Sequence, residues 1–221
     1  MMTHRFYMMV IITGLLGLSG CANKHTEVEK YSGFLDGYND LIEAESVSGA
    51  PVLRWISPTF DSKKYDNVVL EPIVFYPDAS PTEQIDKKKL NDILSYSNAK
   101  LSVEMKKRVP VVDKIGPRTL IFRSAITAVE TSQQNLQFYE VMPVSVLIAG
   151  TQMITGYRTL DTTFYFEAEV IDAQTMKPVM KVVRKGAGET LSNSHQQLTV
   201  REVKTVIDNL VSDLTLFKPE K

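Results

Sequence analysis

Asp161-Thr162-Thr163-Phe164-Tyr165-Phe166-Glu167-Ala168-Glu169-Val170-Ile171-Asp172 is the stretch from which the fold is read. Phe164, Phe166, Ala168 and Val170 fall on one face of a strand, and Glu167 and Glu169 on the other. This is the period of two expected where one side of a sheet meets a core. Ala173 to Lys177 reads as a turn, and Pro178 to Lys185 continues as the partner strand of a hairpin. On this pattern Glu167 and Glu169 are expected on the solvated face of an edge hairpin. A second reading stays open, because two carboxylates on one strand face also suit glycosidic hydrolysis, which needs acids roughly 5 to 10 Å apart.

Helices and further strands extend outward from the hairpin. Downstream, Thr199-Val200-Arg201-Glu202 has the spacing of a capping box, followed by Val203, Val206, Ile207, Leu210, Val211 and Leu214 at helical intervals. Such a helix must lie along a sheet face. Upstream, Thr119 to Val129 alternates as a second strand, with Leu120, Phe122, Ile126 and Ala128 opposed to Ile121, Arg123 and Val129. Asn67 to Tyr76 reads as a buried strand in which Pro72 removes a ladder donor, so a bulge or an edge is expected there. Ser80-Pro81-Thr82-Glu83 predicts a helix start, with the stripe Ile85, Leu90, Ile93, Leu94, Tyr96, Leu101 and Met105 ending before Pro110.

Thr131 to Glu140 is polar and is read as a loop. Pro143 to Thr155 is apolar enough for a buried helix, although Val144 and Val146 suit a strand equally well. Tyr31 to Pro58 is apolar but broken by glycines, which predicts an irregular arm packed on the body with a short strand at Val52 to Ile56. The expected architecture is α/β: a single domain over residues 31–217 in the order β-α-β-α-β-β-α, its mixed sheet flanked by helices.

The amino terminus carries an address. Met1 to Arg5 is a short basic region, and Phe6 to Leu18 is an apolar run too short to span a bilayer comfortably, which takes about 20 residues. Leu18-Ser19-Gly20-Cys21 at its end resembles the lipobox of bacterial lipoproteins. The resemblance implies cleavage between Gly20 and Cys21 and acylation of Cys21, leaving residues 1–20 as signal peptide and 21–30 as a lipidated tether. Ala22 in place of the aspartate that favours inner-membrane retention in enteric lipoproteins implies the outer membrane, with the domain facing the periplasm.

Composition narrows the function. With 43% hydrophobic, 9% aromatic and 23% charged residues, the chain is globular rather than disordered. A formal charge of −1 argues against nucleic acid as a partner. Cys21 is the single cysteine, so once it is lipidated no thiol remains for a disulfide, a metal or a nucleophile. His25 and His195 have no partner at metal-ligand spacing, and no Gly-x-Ser-x-Gly, Ser-x-x-Lys or His-Glu-x-x-His pattern occurs. Gly186-Ala187-Gly188 follows a strand but lacks the third glycine of a dinucleotide loop, since Leu191 stands there. No cofactor, metal or catalytic residue is therefore expected. Lys87 to Lys89 and Lys106 to Arg108 read as solvated helix faces. The candidate interaction residues are Phe138 and Tyr139 at the end of the polar loop, and Lys181 and Val183 on the hairpin edge.

A family resemblance follows from these residues. Tyr31-Ser32-Gly33-Phe34-Leu35 with Tyr38, Val68-Val69-Leu70-Glu71-Pro72, Gly116-Pro117 and Ala125-Ile126-Thr127-Ala128-Val129 resemble a group of bacterial lipoproteins of unknown function, over roughly residues 31–214. More distantly, the element order is similar to periplasmic lipoproteins related to the curli secretion channel and to the amino-terminal domain of the Tol-system propeller protein. Their Asp-x-x-Thr-Gly turn is matched by Asp172 to Lys177 except at Met176. The resemblance implies an α/β fold and an envelope role; with no catalytic motif in the chain, the expectation is a non-enzymatic envelope component that binds a protein partner or a second copy of itself. Alternatives are a lipoprotein that binds a small ligand or cell wall, and a carboxylate-dependent hydrolase.

Overall fold

The computed structural model describes residues 25–79, 86–133, 141–143, 160–192 and 199–218. The signal peptide, Gly20, Cys21, Phe138, Tyr139, His195, the Ser80 to Glu83 box and the apolar run after Pro143 lie outside the described residues.

The hairpin is the middle of the sheet rather than its rim. Strands β1 (Ile42–Glu45), β2 (Pro51–Ile56), β3 (Asn67–Leu70), β4 (Val74–Phe75), β5 (Thr119–Gln133), β6 (Val141–Pro143), β7 (Leu160–Asp172) and β8 (Lys177–Ala187) form one eight-stranded sheet in the order β1-β2-β8-β7-β5-β3. β4 and β6 also pair with β5. β3 and β4 run parallel to β5 and every other pair is antiparallel, so the sheet is mixed, as expected for this α/β class. The expected break at Pro72 is present: β3 and β4 are separated by Glu71 to Ile73, on the flank of β5.

Several boundaries differ from the sequence reading, each for a local reason. Thr131 to Gln133, expected in a loop, extend β5 because Leu160 to Thr162 of β7 continue the ladder opposite them. The arm supplies β1 as well as β2, and β2 pairs with β8, closing the edge expected at the hairpin. Helix α1 (Lys87–Lys106) is capped by Asp86, which is extended at ψ 166° and whose carboxylate accepts from Lys89 N at 2.8 Å. In the β7–β8 turn Met176 adopts φ +55°, the left-handed conformation that glycine takes freely. The Asp172 carboxylate holds the turn by accepting from the backbone N–H of Gln174 and Thr175, both at 2.8 Å.

The two helices pack on one face of the sheet. α2 (Val200–Leu216) carries the predicted capping box, with Glu202 accepting from Thr199 N at 2.9 Å. Leu90, Ile93 and Leu101 of α1 and Val203, Val206, Ile207 and Val211 of α2 close on Phe122, Ile126 and Phe164 in the main core. Lys88 and Lys107 stay in solvent and pair with Asp92 and Glu104. Gly186 near the end of β8 and Gly188 just after it have a packing role: a Cβ on Gly186 would overlap Val206 Cγ2, and one on Gly188 would sit 2.5 Å from Thr162 Oγ1. Gly186→Ala must push α2 away from the sheet, and overpacking of this kind costs about 1–3 kcal/mol. A fall in the urea midpoint without change in slope is the expected result.

Candidate functional site

The face of the sheet opposite the helices is covered by the arm, and it carries charge. Arg123 of β5, Glu169 of β7 and Lys181 of β8 stand in register across three strands. The next row is Ala125, Glu167, Val183 and Leu53. Glu167 and Glu169, expected in solvent, are 1% and 2% exposed. Glu167 accepts from Ser32 N at 2.9 Å and from the Tyr38 hydroxyl at 2.5 Å. Glu169 accepts from Asp36 N at 3.4 Å and lies 2.8 Å from Arg123 Nε. The cations hold the arm's carbonyls: Arg123 donates to Phe34 O at 2.6 Å, and Lys181 Nζ donates to Asp36 O and Gly37 O. Tyr31 stacks on Tyr38 at 4.4 Å, and the Arg123 guanidinium lies 4.6 Å above the Phe34 ring.

These contacts decide what the carboxylates are for. Burial pushes the Glu169 carboxyl above the usual range, and Arg123, Asp36 N–H and Lys181 offset that in part. Burial, reinforced by the hydrogen bond to Glu167, pushes the Tyr38 hydroxyl up to about 12. Both carboxylates accept from groups of the arm and so fasten that segment to the sheet. Lys181 and Val183, expected on an interaction edge, are buried under the same arm, with Val183 packed against Leu35 and Leu53.

A cleft opens on the helix side. It has a volume of about 160 Å³ and runs beneath Leu210 and Leu214 of α2 across β2, β8, β7 and β5. Its floor is recessed because Ala168 and Ser124, both small, pair directly, with Val182 on the other side of Ala168. Phe122, Val170, Met180 and Leu101 line the walls. Two arginines interrupt this apolar lining. Arg184, 8% exposed, pairs with Asp213 of α2, whose carboxylate also accepts from Ser48 N at 2.9 Å and Ser48 Oγ at 2.7 Å in the β1–β2 turn. Arg54 lies 4.6 Å above the Phe217 ring and donates to Glu45 O at 3.3 Å. Burial raises the Asp213 pKa, but the serine hydroxyls and Arg184 outweigh it and hold the group below its ordinary value. The alternation of β2 and β8 gave a sequence-level signal for Arg54 and Arg184; the cleft itself had none.

The comparisons with known proteins agree on family. A family described as "Protein of unknown function (DUF3313)" matches residues 30–214. A protein named uncharacterized lipoprotein YdcL, from Escherichia coli strain K12, is 50% identical over 221 residues, covering all of both chains. Among solved structures, a PelC dodecamer subunit from Paraburkholderia phytofirmans is 14% identical, covers 73% of this chain and 96% of that one, and superposes with a TM-score of 0.35. A homolog of a neuraminyllactose-binding hemagglutinin from Helicobacter pylori is 7% identical, with a TM-score of 0.38 over 71% of this chain and 82% of that one. Among the described residues, no helix is long and apolar enough to cross a membrane, and no group of acidic, histidine or cysteine side chains is arranged to hold a metal.

Two substitutions check these networks. Glu167→Gln weakens charge-assisted hydrogen bonds that contribute about 1.5–3 kcal/mol each. Limited proteolysis is therefore expected to cut between residues 31 and 41 in the variant before the parent is cut. For Asp213 the folded pKa lies below the value of 3.8 that the free side chain has. Its stabilisation is complete above that value and is lost as pH falls through the folded pKa. Urea midpoints of Asp213→Asn and parent should differ most at pH 7 and converge below pH 3.8.

Proposed function

We propose, for a chain that belongs to the DUF3313 family of proteins of unknown function, that it is a lipid-anchored, non-enzymatic binding protein of the periplasmic face of the outer membrane, with the cleft under α2 as its ligand site. The observation that carries this reading is the cleft itself, an apolar recess between sheet and helices of the kind that small-molecule sites use. The disposition of Glu167 and Glu169 supports a binding role over hydrolysis, since the arm occupies their carboxylates on the opposite face. Anchoring rests on Leu18-Ser19-Gly20-Cys21 and on the lipoprotein relative. Ala22 after the cysteine supports the outer membrane.

An anchor at Cys21 places the domain close to the bilayer. Thr26 is already buried, and Glu27 pairs with Lys185 at 3.4 Å. Cys21 stands six residues before Glu27 in the sequence, a separation of at most roughly 20 Å. More than one acyl chain makes the attachment stable, at roughly 0.8 kcal/mol per buried methylene.

Two measurements test the reading. Intact-mass analysis of the protein from outer-membrane fractions should show acyl mass on a chain beginning at Cys21. Cys21→Ser should lack that mass and retain its signal peptide. A neutral fluorophore such as N-phenyl-1-naphthylamine should bind at one molecule per chain and be displaced by Leu210→Trp, which fills the cleft. A folded Leu210→Trp variant that binds the fluorophore as well as the parent overturns the binding site.

A further inference from the structure

We propose that the ligand is a single-chain amphiphile, its aliphatic tail lying in the cleft and its carboxylate or phosphate head received by the guanidinium groups of Arg54 and Arg184. This rests on the reading of the cleft as the binding site and adds the chemistry of what binds there.

The shape of the cleft selects a chain. It extends from Val52 and Arg54 on β2 to Phe122 and Ser124 on β5, with Val47 at one end and Ile73 at the other. Crossing from β2 to β5 covers three inter-strand spacings, roughly 14 Å. The floor of Ala168 and Ser124 makes it a trough rather than a sphere. A trough of this length and apolarity fits an extended hydrocarbon better than a compact ring.

The charge in the cleft selects a head. Arg184 is a buried side chain in the wall, and its Nε–H has no hydrogen-bond partner although Asp213 neutralises the group's charge through Nη1. Leaving a buried donor unmade costs about 1–3 kcal/mol, which a bound acceptor recovers. Arg54 is the other arginine of the lining. Its contacts are a backbone carbonyl and the Phe217 ring, so no carboxylate among the described residues neutralises it. Planar guanidinium groups match carboxylate and phosphate geometry.

The position of the cleft selects a source. Ser46 and Val47 belong to the β1–β2 turn, and the pairing of Leu53 with Val183 sets Pro51 level with Lys185. Lys185 is where Glu27, close to the anchor, meets the sheet. The Val47 end of the cleft therefore lies beside the strand positions that Glu27 meets, and on the anchored reading this is the end offered to lipids of the leaflet.

The full lipidated chain, held in amphipol, would be irradiated with a diazirine-bearing dodecanoate and the labelled peptides mapped. Label is expected on the α2 segment containing Leu210 and Leu214 and on the β8 segment containing Met180 and Val182. Dodecanoate or lysophosphatidylglycerol should compete at least tenfold better than dodecanol; competition by the first alone identifies free fatty acid, and by the second a membrane phospholipid. Arg54→Gln should reduce competition by the charged amphiphile about tenfold and leave dodecanol unchanged. Ala168→Leu, or Ser124→Val if the first does not fold, should abolish labelling. Equal competition by dodecanol, or no effect of Arg54→Gln, overturns the head-group assignment while the apolar site stands. Absence of label from both segments overturns the amphiphile and the binding site together.

Discussion

The row Arg123, Glu169 and Lys181, with Glu167 beside it, is the interaction on which the rest of the structure depends. Buried charges are costly unless they are paired and their remaining donors and acceptors satisfied. Here they satisfy one another across three strands and take up backbone N–H and C=O groups of Ser32 to Gly37, the part of the arm that precedes its strands. The arm needs the row because irregular backbone cannot be buried without partners. The row needs the arm because its carboxylates would otherwise lose acceptors' partners under an apolar cover of Leu35 and Phe34.

This arrangement divides the sheet into two faces with separate duties. On the arm side, Glu167 and Glu169 are held by hydrogen bonds from the arm. On the helix side, Phe164, Ile126 and Val206 form a close-packed core, while the small pair Ala168 and Ser124 leaves a recess further along the same strands. Gly186 lets α2 approach the sheet at Val206, and the Arg184, Asp213 and Ser48 network ties its carboxy-terminal end to the β1–β2 turn. The cleft lies between these two fastenings, so its width follows from how the helix is held at both ends.

The amino-terminal part of the domain is held by the same face of the sheet. Glu27 bonds Lys185, and the residues that follow enter the arm that the charged row holds.

Much of the fold was legible because it rests on local rules. The alternation of Phe164 to Val170, the capping box at Thr199 and the donor lost at Pro72 each act within a few residues, and the sheet and α2 follow from them. The resemblance of Leu18 to Cys21 to a lipobox is likewise read from adjacent residues. Tertiary structure decided what period and spacing cannot encode. Glu167 and Glu169 read as solvent-facing because alternation tells which residues share a face, not what covers it. Val183 and Lys181 read as an edge because nothing near them specifies that β2, more than a hundred residues earlier, adds to β8. The cleft was invisible for the same reason: it is made by Ala168 meeting Ser124 under Leu210, and only packing brings those three together.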